Sequence, residues 1–409
     1  MYKIFIKNFL FSLLFYLLLF LLFYFLLVFF GKKEIFSENS FLHWDAEHYN
    51  FIKEKGYQNF RTAFFPLFPF LWKFISLSPI GISVLNGIIF LLSFSFLYLI
   101  LNPNIDKYFF LLLSFPSLIF MFLPYTEAVF FFSAIVLLTG FYKNHFWMII
   151  VGFFLCSLAR PVTFIFLPAI WITEFFMNKN KIVLSIRNGS IYSLAVIAGL
   201  FTTFFLQHYY TGEWFSFFDS QKRWDNRLQL PQLTLTSWAG GKIVMLDGTA
   251  LLIGTIAVIF IFRLLVIFIR KEELKIPKLL LFSILYLAGI SLFVLLFRGG
   301  SLFSLNRFVY ATPFFMICLY YFLKNIRFNL RQGLLVFFFL SVFWLLFGSY
   351  EHIQTFLKFE GLTLYIILFL LLSSEKKTIS RSAFLFILLG NIFLTLYFYF
   401  RFFNGEWVG

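Results

Sequence analysis

Charge is what this 409-residue chain has least of: 12% of its residues are Asp, Glu, Lys or Arg against 61% hydrophobic, with a mean hydropathy of +0.91. Those values fall outside the range of soluble globular domains. Cysteine is nearly absent. Cys156 and Cys318 both lie inside apolar runs, where a thiol behaves as a small hydrophobe, so neither a disulfide framework nor a metal-thiolate site is expected. The glycine-rich phosphate loops are missing too: there is no GxxxxGK[ST] and no GxGxxG, which removes the usual nucleotide-binding signatures. Phenylalanine is abundant, at 70 residues, and its stripes read as lipid-facing or core-packing surface.

What the chain does have is apolar runs of bilayer length. They predict an all-α polytopic membrane protein forming one integral membrane domain over residues 1–409. Thirteen spans are expected, at about 4–30, 80–101, 108–123, 126–142, 146–158, 161–177, 188–209, 248–270, 279–297, 307–323, 333–348, 360–373 and 382–402, with eleven to thirteen as the range. The first run follows Lys3 and Lys7, is too long for a signal-peptide core and has no small-residue cleavage site after it, so it reads as a retained span.

With the N-terminus placed in the cytoplasm, that side carries eighteen basic and five acidic residues, a net of +13, and the opposite side a net of +2. This is the positive-inside pattern. The basic balance therefore reports topology and not nucleic-acid binding. The same arrangement puts the long polar loops 31–79, 210–247 and 349–359 on the outer face, with short outer turns at Pro124–Thr126, around Arg160 and at Arg298–Asn306.

The first outer loop is the chemically dense stretch. His43 to Pro69 reads HWDAEHYNFIKEKGYQNFRTAFFPLFP. If His43 to Lys55 is helical, Asp45 and Tyr49 are neighbours one turn apart, as are Trp44 and His48. A carboxylate held at headgroup depth suits general-base work toward a hydroxyl. The competing reading makes Trp44 and Tyr49 interfacial anchors and Asp45 a helix cap. Pro66 and Pro69 are expected to interrupt any helix there. Glu127 reads either as a first-turn acid behind a Thr126 cap or as a second functional carboxylate. Arg160 needs a partner at membrane depth, with Glu127 or a lipid phosphate as candidates. Arg307 and Arg298 suit bidentate phosphate recognition, with interfacial snorkelling as the alternative. Trp214, Trp224, Asp225, Arg227 and Trp238 make the second loop fit for sugar stacking or for an aromatic belt. His208 and His352 have no assigned role. A divalent ion on His43, Asp45, Glu47 and His48 is disfavoured, because i,i+2 positions on a helix point apart.

Several of these motifs together carry a resemblance. Trp44-Asp45-Ala46-Glu47-His48-Tyr49, Gly56-Tyr57 and Ala63-Phe64-Phe65-Pro66-Leu67-Phe68-Pro69 are followed by Leu123-Pro124-Tyr125-Thr126-Glu127 and Ala159-Arg160-Pro161. Then come Thr211-Gly212-Glu213-Trp214 with Gln221-Lys222-Arg223-Trp224, and Ser304-Leu305-Asn306-Arg307-Phe308. In that order they resemble the signature of the PIG-V-type mannosyltransferases, the GPI mannosyltransferase 2-like family and its bacterial relatives. Thr126 and Pro161 depart from the family pattern, and the last three spans show no match. The resemblance implies a GT-C type fold, an inverting transferase with a polyprenyl-phosphate sugar donor and a glycan or glycolipid acceptor, and a site on the extracytoplasmic face of a bacterial inner membrane. It implies Asp45 as the catalytic carboxylate and Trp44, His48, Tyr49, Tyr57, Glu127, Arg160, Trp224 and Arg307 as substrate-binding residues, with no cofactor. The alternatives are a polymerase or ligase of lipid-linked glycans and a lipid or solute transporter. A transporter usually has mid-span charges and internal repeats, both scarce here.

Overall fold

The computed structural model describes residues 2–178, 181–233, 235–236, 241–270, 276–347 and 353–408. These residues are helical, with no strand beyond one bridge between Thr236 and Ser301. The helices are α1 (Tyr2–Phe29), α2 (Asp45–Lys55), α3 (Leu67–Ile75), α4 (Pro79–Leu101), α5 (Lys107–Leu113), α6 (Glu127–Lys143), α7 (Phe146–Ala159), α8 (Thr163–Met177), α9 (Ile182–Thr211) and α10 (Ser216–Arg223). They continue with α11 (Gly241–Ile269), α12 (Lys278–Phe297), α13 (Leu305–Tyr310), α14 (Pro313–Asn325), α15 (Leu330–Phe347), α16 (Ile353–Leu371) and α17 (Lys377–Phe403). The chain is an all-α polytopic membrane protein.

Among the described residues six helices are long and apolar enough to cross a membrane, α1, α4, α9, α11 (its Leu246–Ile269 part), α12 and α17. The number is seven if the 3-10 segment Pro116–Phe122 and α6, which meet at 98°, form one broken span. Eleven to thirteen were expected. Part of the difference is length, since the expected spans 146–158 and 161–177 are the intact apolar helices α7 and α8, only 14 and 15 residues long, and part arises because hydropathy reads through helix breaks. The expected span 108–123 is α5 followed by the Pro116–Phe122 segment. The expected span 307–323 is split into α13 and α14 at Thr312-Pro313, where proline supplies no N–H and Thr312 accepts from Phe315 N at 3.4 Å.

Breaks at membrane depth need their backbone groups satisfied. Buried Asn86 on α4 does this at the bend before α6, donating to Leu123 O at 2.7 Å and Tyr125 O at 2.9 Å. Packing explains the rest of the scaffold. On α1 the buried positions are Asn8, Ser12, Tyr16, Leu19, Phe23 and Leu27, a stripe at three- and four-residue spacing. Its polar members reach other elements, with Tyr16 donating to Leu113 O at 2.8 Å, while Leu10, Leu14, Leu17, Leu21 and Phe25 remain exposed on the lipid-compatible side. Polar and small residues mark the packed face because lipid tails are as apolar as leucine. Gly152 shows how tight this packing is: a Cβ there would lie 2.5 Å from the Leu137 backbone, so α6 and α7 approach through the missing side chain.

Pro66 and Pro69 correct another expectation. Pro66 is the N-cap of α3 and Pro69 lies in its first turn, where the lost N–H would have had no intrahelical partner. The prolines start this helix. Gly56 ends α2 with φ 77°, and a Cβ on it would strike the Tyr210 ring at 2.2 Å.

Helices α6, α7, α8 and α12 run between two polar clusters. At one end stand Glu127, Arg160 and Arg298. At the other, Glu174 pairs with Lys278, whose ammonium sits over the rings of Phe141 and Tyr192.

Candidate functional site

The first cluster is assembled from four distant parts of the chain. Arg307 Nη1 is 2.6 Å from Asp45 Oδ2, and Arg307 Nε also pairs with Glu127 Oε1. Arg160 Nη2 pairs with the same Glu127 oxygen. Loop 31–79 and the three short turns at 124–126, 160 and 298–306, expected on one face, therefore meet. Only Asp45 is accessible, at 21% of its side chain, whereas Glu127 is at 0%, Arg307 at 5% and Arg160 at 6%. This burial corrects the snorkelling reading of Arg307, and Glu127 does stand in the first turn of α6 as expected. Thr126 does not cap α6; its hydroxyl donates to Ala159 O at 3.2 Å.

The cluster is incompletely satisfied. Glu127 Oε2, Arg160 Nε and Arg160 Nη1 are buried without a hydrogen-bond partner. Such atoms cost free energy unless something else meets them. The arginines lie on aromatic rings, Arg307 over Tyr125 at 4.9 Å and Arg160 over Phe130 at 5.0 Å, which offsets part of the desolvation.

Helix α2 begins at Asp45, and Trp44 before it has φ 59° and ψ −123°. Asp45 is thus the first helical residue, not the cap, and Trp44 lies outside the helix. Tyr49, one turn on, is buried against Phe64 and Phe68, both at 5.1 Å, so it is not an interfacial anchor. Burial first, then the charges of Asp45 and Glu127, push its phenol well above the ordinary range, so it remains a proton donor. Burial likewise raises Tyr125, whose hydroxyl donates to His43 O at 3.2 Å. His48 is held below its ordinary value, by burial first and also by Arg61, against the opposing pull of Asp45 and Glu47. Its Nδ1 is buried and unpartnered.

The other expected residues divide. His48 and Trp224 share a ledge of rings: His48 lies 4.9 Å from Phe64, and Trp224, 44% exposed, lies 5.7 Å from the same ring. Tyr57 is fully buried and its hydroxyl is committed to Phe64 O at 3.0 Å, so it supports the ledge from beneath and does not open onto the cluster. Trp44 packs at 5.3 Å against Trp407, and its indole N–H has no partner. Asp225 and Arg227 pair with each other in the open. His208 stacks on Trp214 at 4.3 Å. Trp238 and His352 lie outside the described residues. No group of three His, Cys, Asp or Glu side chains converges among the described residues.

Two features escaped the sequence reading. Asp247, fully buried near the start of the α11 apolar run, accepts from Asn306 N at 2.8 Å and from Asn306 Nδ2 at 2.7 Å. Ser117 donates to Asn306 Oδ1 at 2.9 Å. This network fixes the turn that carries Arg307. Its available signal was an aspartate at the head of a long apolar run. The second feature is the chain's end: Trp407 covers Trp44 and stacks on Phe303 at 5.0 Å, a contact no local pattern announces.

Comparison with known proteins finds no matching family model, no matching curated protein and no matching solved structure.

Proposed function

We propose that the chain is a membrane glycosyltransferase, a mannosyltransferase in the closest reading, that moves a sugar from a polyprenyl phosphate to a glycan or glycolipid acceptor on the extracytoplasmic face. The observation that carries this reading is one reachable carboxylate, Asp45, at the rim of a buried cluster in which two Arg160 nitrogens, Nε and Nη1, have no partner. The motif resemblance, with Asp45 at its centre, points to the same residue.

In this mechanism the acceptor hydroxyl oxygen attacks the anomeric carbon. The bond from that carbon to the phosphate oxygen breaks, with inversion, and Asp45 takes the hydroxyl proton. Arg307 orients Asp45. The departing prenyl phosphate carries its own negative charge, which the cationic Arg160 behind Asp45 stabilises through space. Tyr49 contributes a phenolic donor. The ledge of His48, Phe64 and Trp224 offers apolar faces for a sugar ring. The donor requires no nucleotide, in keeping with the absence of phosphate-loop motifs.

The test is a transfer assay in isolated membranes with radiolabelled prenyl-phosphate mannose and, in parallel, GDP-mannose. Label should pass from the prenyl donor to lipid or glycan and not directly from the nucleotide sugar. Direct use of GDP-mannose, or no transfer from any prenyl-phosphate sugar, would overturn the reading.

A further inference from the structure

A second charged site lies far from Asp45. The cleft between the start of α5, the chain after α14 and the start of α17 has a volume of about 570 Å³ and is lined by Lys107, Arg327, Ser374, Glu375, Lys377, Ser380, Arg381 and Phe384. Four cations face one carboxylate. The end of α17, by contrast, reaches the Asp45 region, where Phe402 packs against His43 and Tyr125. The 27 residues of α17 put about 40 Å between the two sites.

The cations do not neutralise one another's neighbours. Lys107 is partly buried and donates to Leu372 O at 2.8 Å and Ser380 Oγ at 2.5 Å, leaving one of its three donors unused. Arg327 is close enough to oppose the charge on Lys107. Arg327, Lys377 and Arg381 are exposed and make no ion pair among the described residues, where the seven ion pairs lie elsewhere. The first turn of α17 has no side-chain cap, so its free backbone N–H groups add to the positive potential. Like charges gathered around a cleft repel unless an anion enters.

We propose that this cleft binds a phosphate-bearing anion, of the kind presented by an acidic lipid headgroup, at the end of the molecule opposite Asp45. Guanidinium groups bind phosphate oxygens in pairs, and Ser374 supplies a neutral donor, whereas the Ser380 hydroxyl is committed to Leu372 O at 2.7 Å. Basic pockets between helices at a membrane surface take acidic headgroups on the same physical grounds. The site is independent of the glycosyl-transfer reading and stands or falls separately.

The experiment compares the full-length protein with Arg327→Gln/Arg381→Gln in phosphatidylcholine nanodiscs containing increasing phosphatidylglycerol. Native mass spectrometry counts retained lipid, and a parallel series uses inorganic phosphate with no acidic lipid. Lys181→Gln/Arg187→Gln is the control, since it removes the same charge from a different patch. Each basic residue at an acidic surface contributes about fivefold, so the cleft variant should bind phosphatidylglycerol roughly 25-fold more weakly while the control stays near wild type. Retention of phosphatidylglycerol alone identifies a lipid headgroup; retention of inorganic phosphate as well keeps the site and assigns it to a soluble phosphate. Equal losses in the two variants, or no loss in either, would overturn the site.

Discussion

Two buried carboxylates, Glu127 and Glu174, stand at opposite ends of the same helices, and their surroundings differ. Glu174 is finished. Lys278 takes Oε1, Asn178 donates to Oε2 at 3.0 Å and Asn188 donates to Oε2 at 3.2 Å. Ser185 closes the backbone there, donating to Glu174 O at 2.9 Å. Glu127 has two arginines crowded on Oε1 and nothing on Oε2, and two nitrogens of Arg160, Nε and Nη1, have no partner. A buried ion pair with every lone pair met is a structural tie. The Glu127 cluster has spare donors and an accessible third member, Asp45, and the proposed function rests on that difference. That contrast can be broken experimentally.

The largest effect should come from Asp45. Asp45→Asn keeps the size and a hydrogen-bonding oxygen but removes the base, so transfer should drop about 10²–10⁴-fold with normal insertion and yield. Asp45→Glu should recover only part, because it moves the carboxylate and positioning matters. Glu47→Gln lies about 200° around the helix from Asp45 and should cost little. Near-native transfer by Asp45→Asn would remove the functional half of the comparison.

Next come the two cations. Lys278→Met strands Glu174 with no opposite charge, and a broken buried pair costs about 3 kcal/mol or more, so the denaturation midpoint in detergent should fall markedly. Arg160→Met leaves Glu127 still held by Arg307. It should lower the midpoint less and instead reduce transfer. If both variants are equally unstable, the Glu127 cluster is a tie like the other.

These residues were unequally legible. The helical membrane class follows from composition, and Asp45 with Tyr49 follows from helical spacing. Arg160 could be matched to Glu127 because a buried arginine demands a partner. The span count was not legible, because Pro116 and Pro313 break hydrogen-bonding ladders without breaking hydrophobicity and because α7 and α8 are apolar runs too short to cross a membrane alone. Nor was Asp247, since a carboxylate ahead of an apolar run has the same pattern whether it caps a helix or, as here, holds Asn306 from 59 residues away. Trp407 over Trp44 belongs to the tertiary packing alone.

A smaller effect is expected at Asp247. Asp247→Ala removes two hydrogen bonds to Asn306, about 1.5–3 kcal/mol for bonds to a charged acceptor, and loosens the turn that aims Arg307. Asp247→Asn retains an acceptor oxygen and should restore most of the stability. Because Asp247 acts through Arg307, Asp247→Ala should lower kcat more than it raises KM for the prenyl donor. A pure KM effect would place Asp247 in contact with substrate.

The smallest effect separates the two ends by pH. His48 lies at the Asp45 end, and no histidine hydrogen-bonds to Glu174 among the contacts of that node. Its folded-state value sits below the ordinary 6.5, chiefly through burial and secondarily through Arg61, while Asp45 and Glu47 pull it upward. The sign follows from linkage. Below pH 6.5 the unfolded chain takes up a proton that folded His48 refuses, so stability is fully present above that pH and is lost as pH falls toward the folded value. His43 shifts the same way, which makes the single substitution necessary. Wild type should lose a few degrees of melting temperature between pH 7.5 and 5.5, and His48→Gln, neutral throughout, should lose less. Lys278→Met, disturbing the other end, should retain the wild-type pH dependence on its lower baseline. A pH dependence that survives His48→Gln unchanged would show that acid acts on a different group.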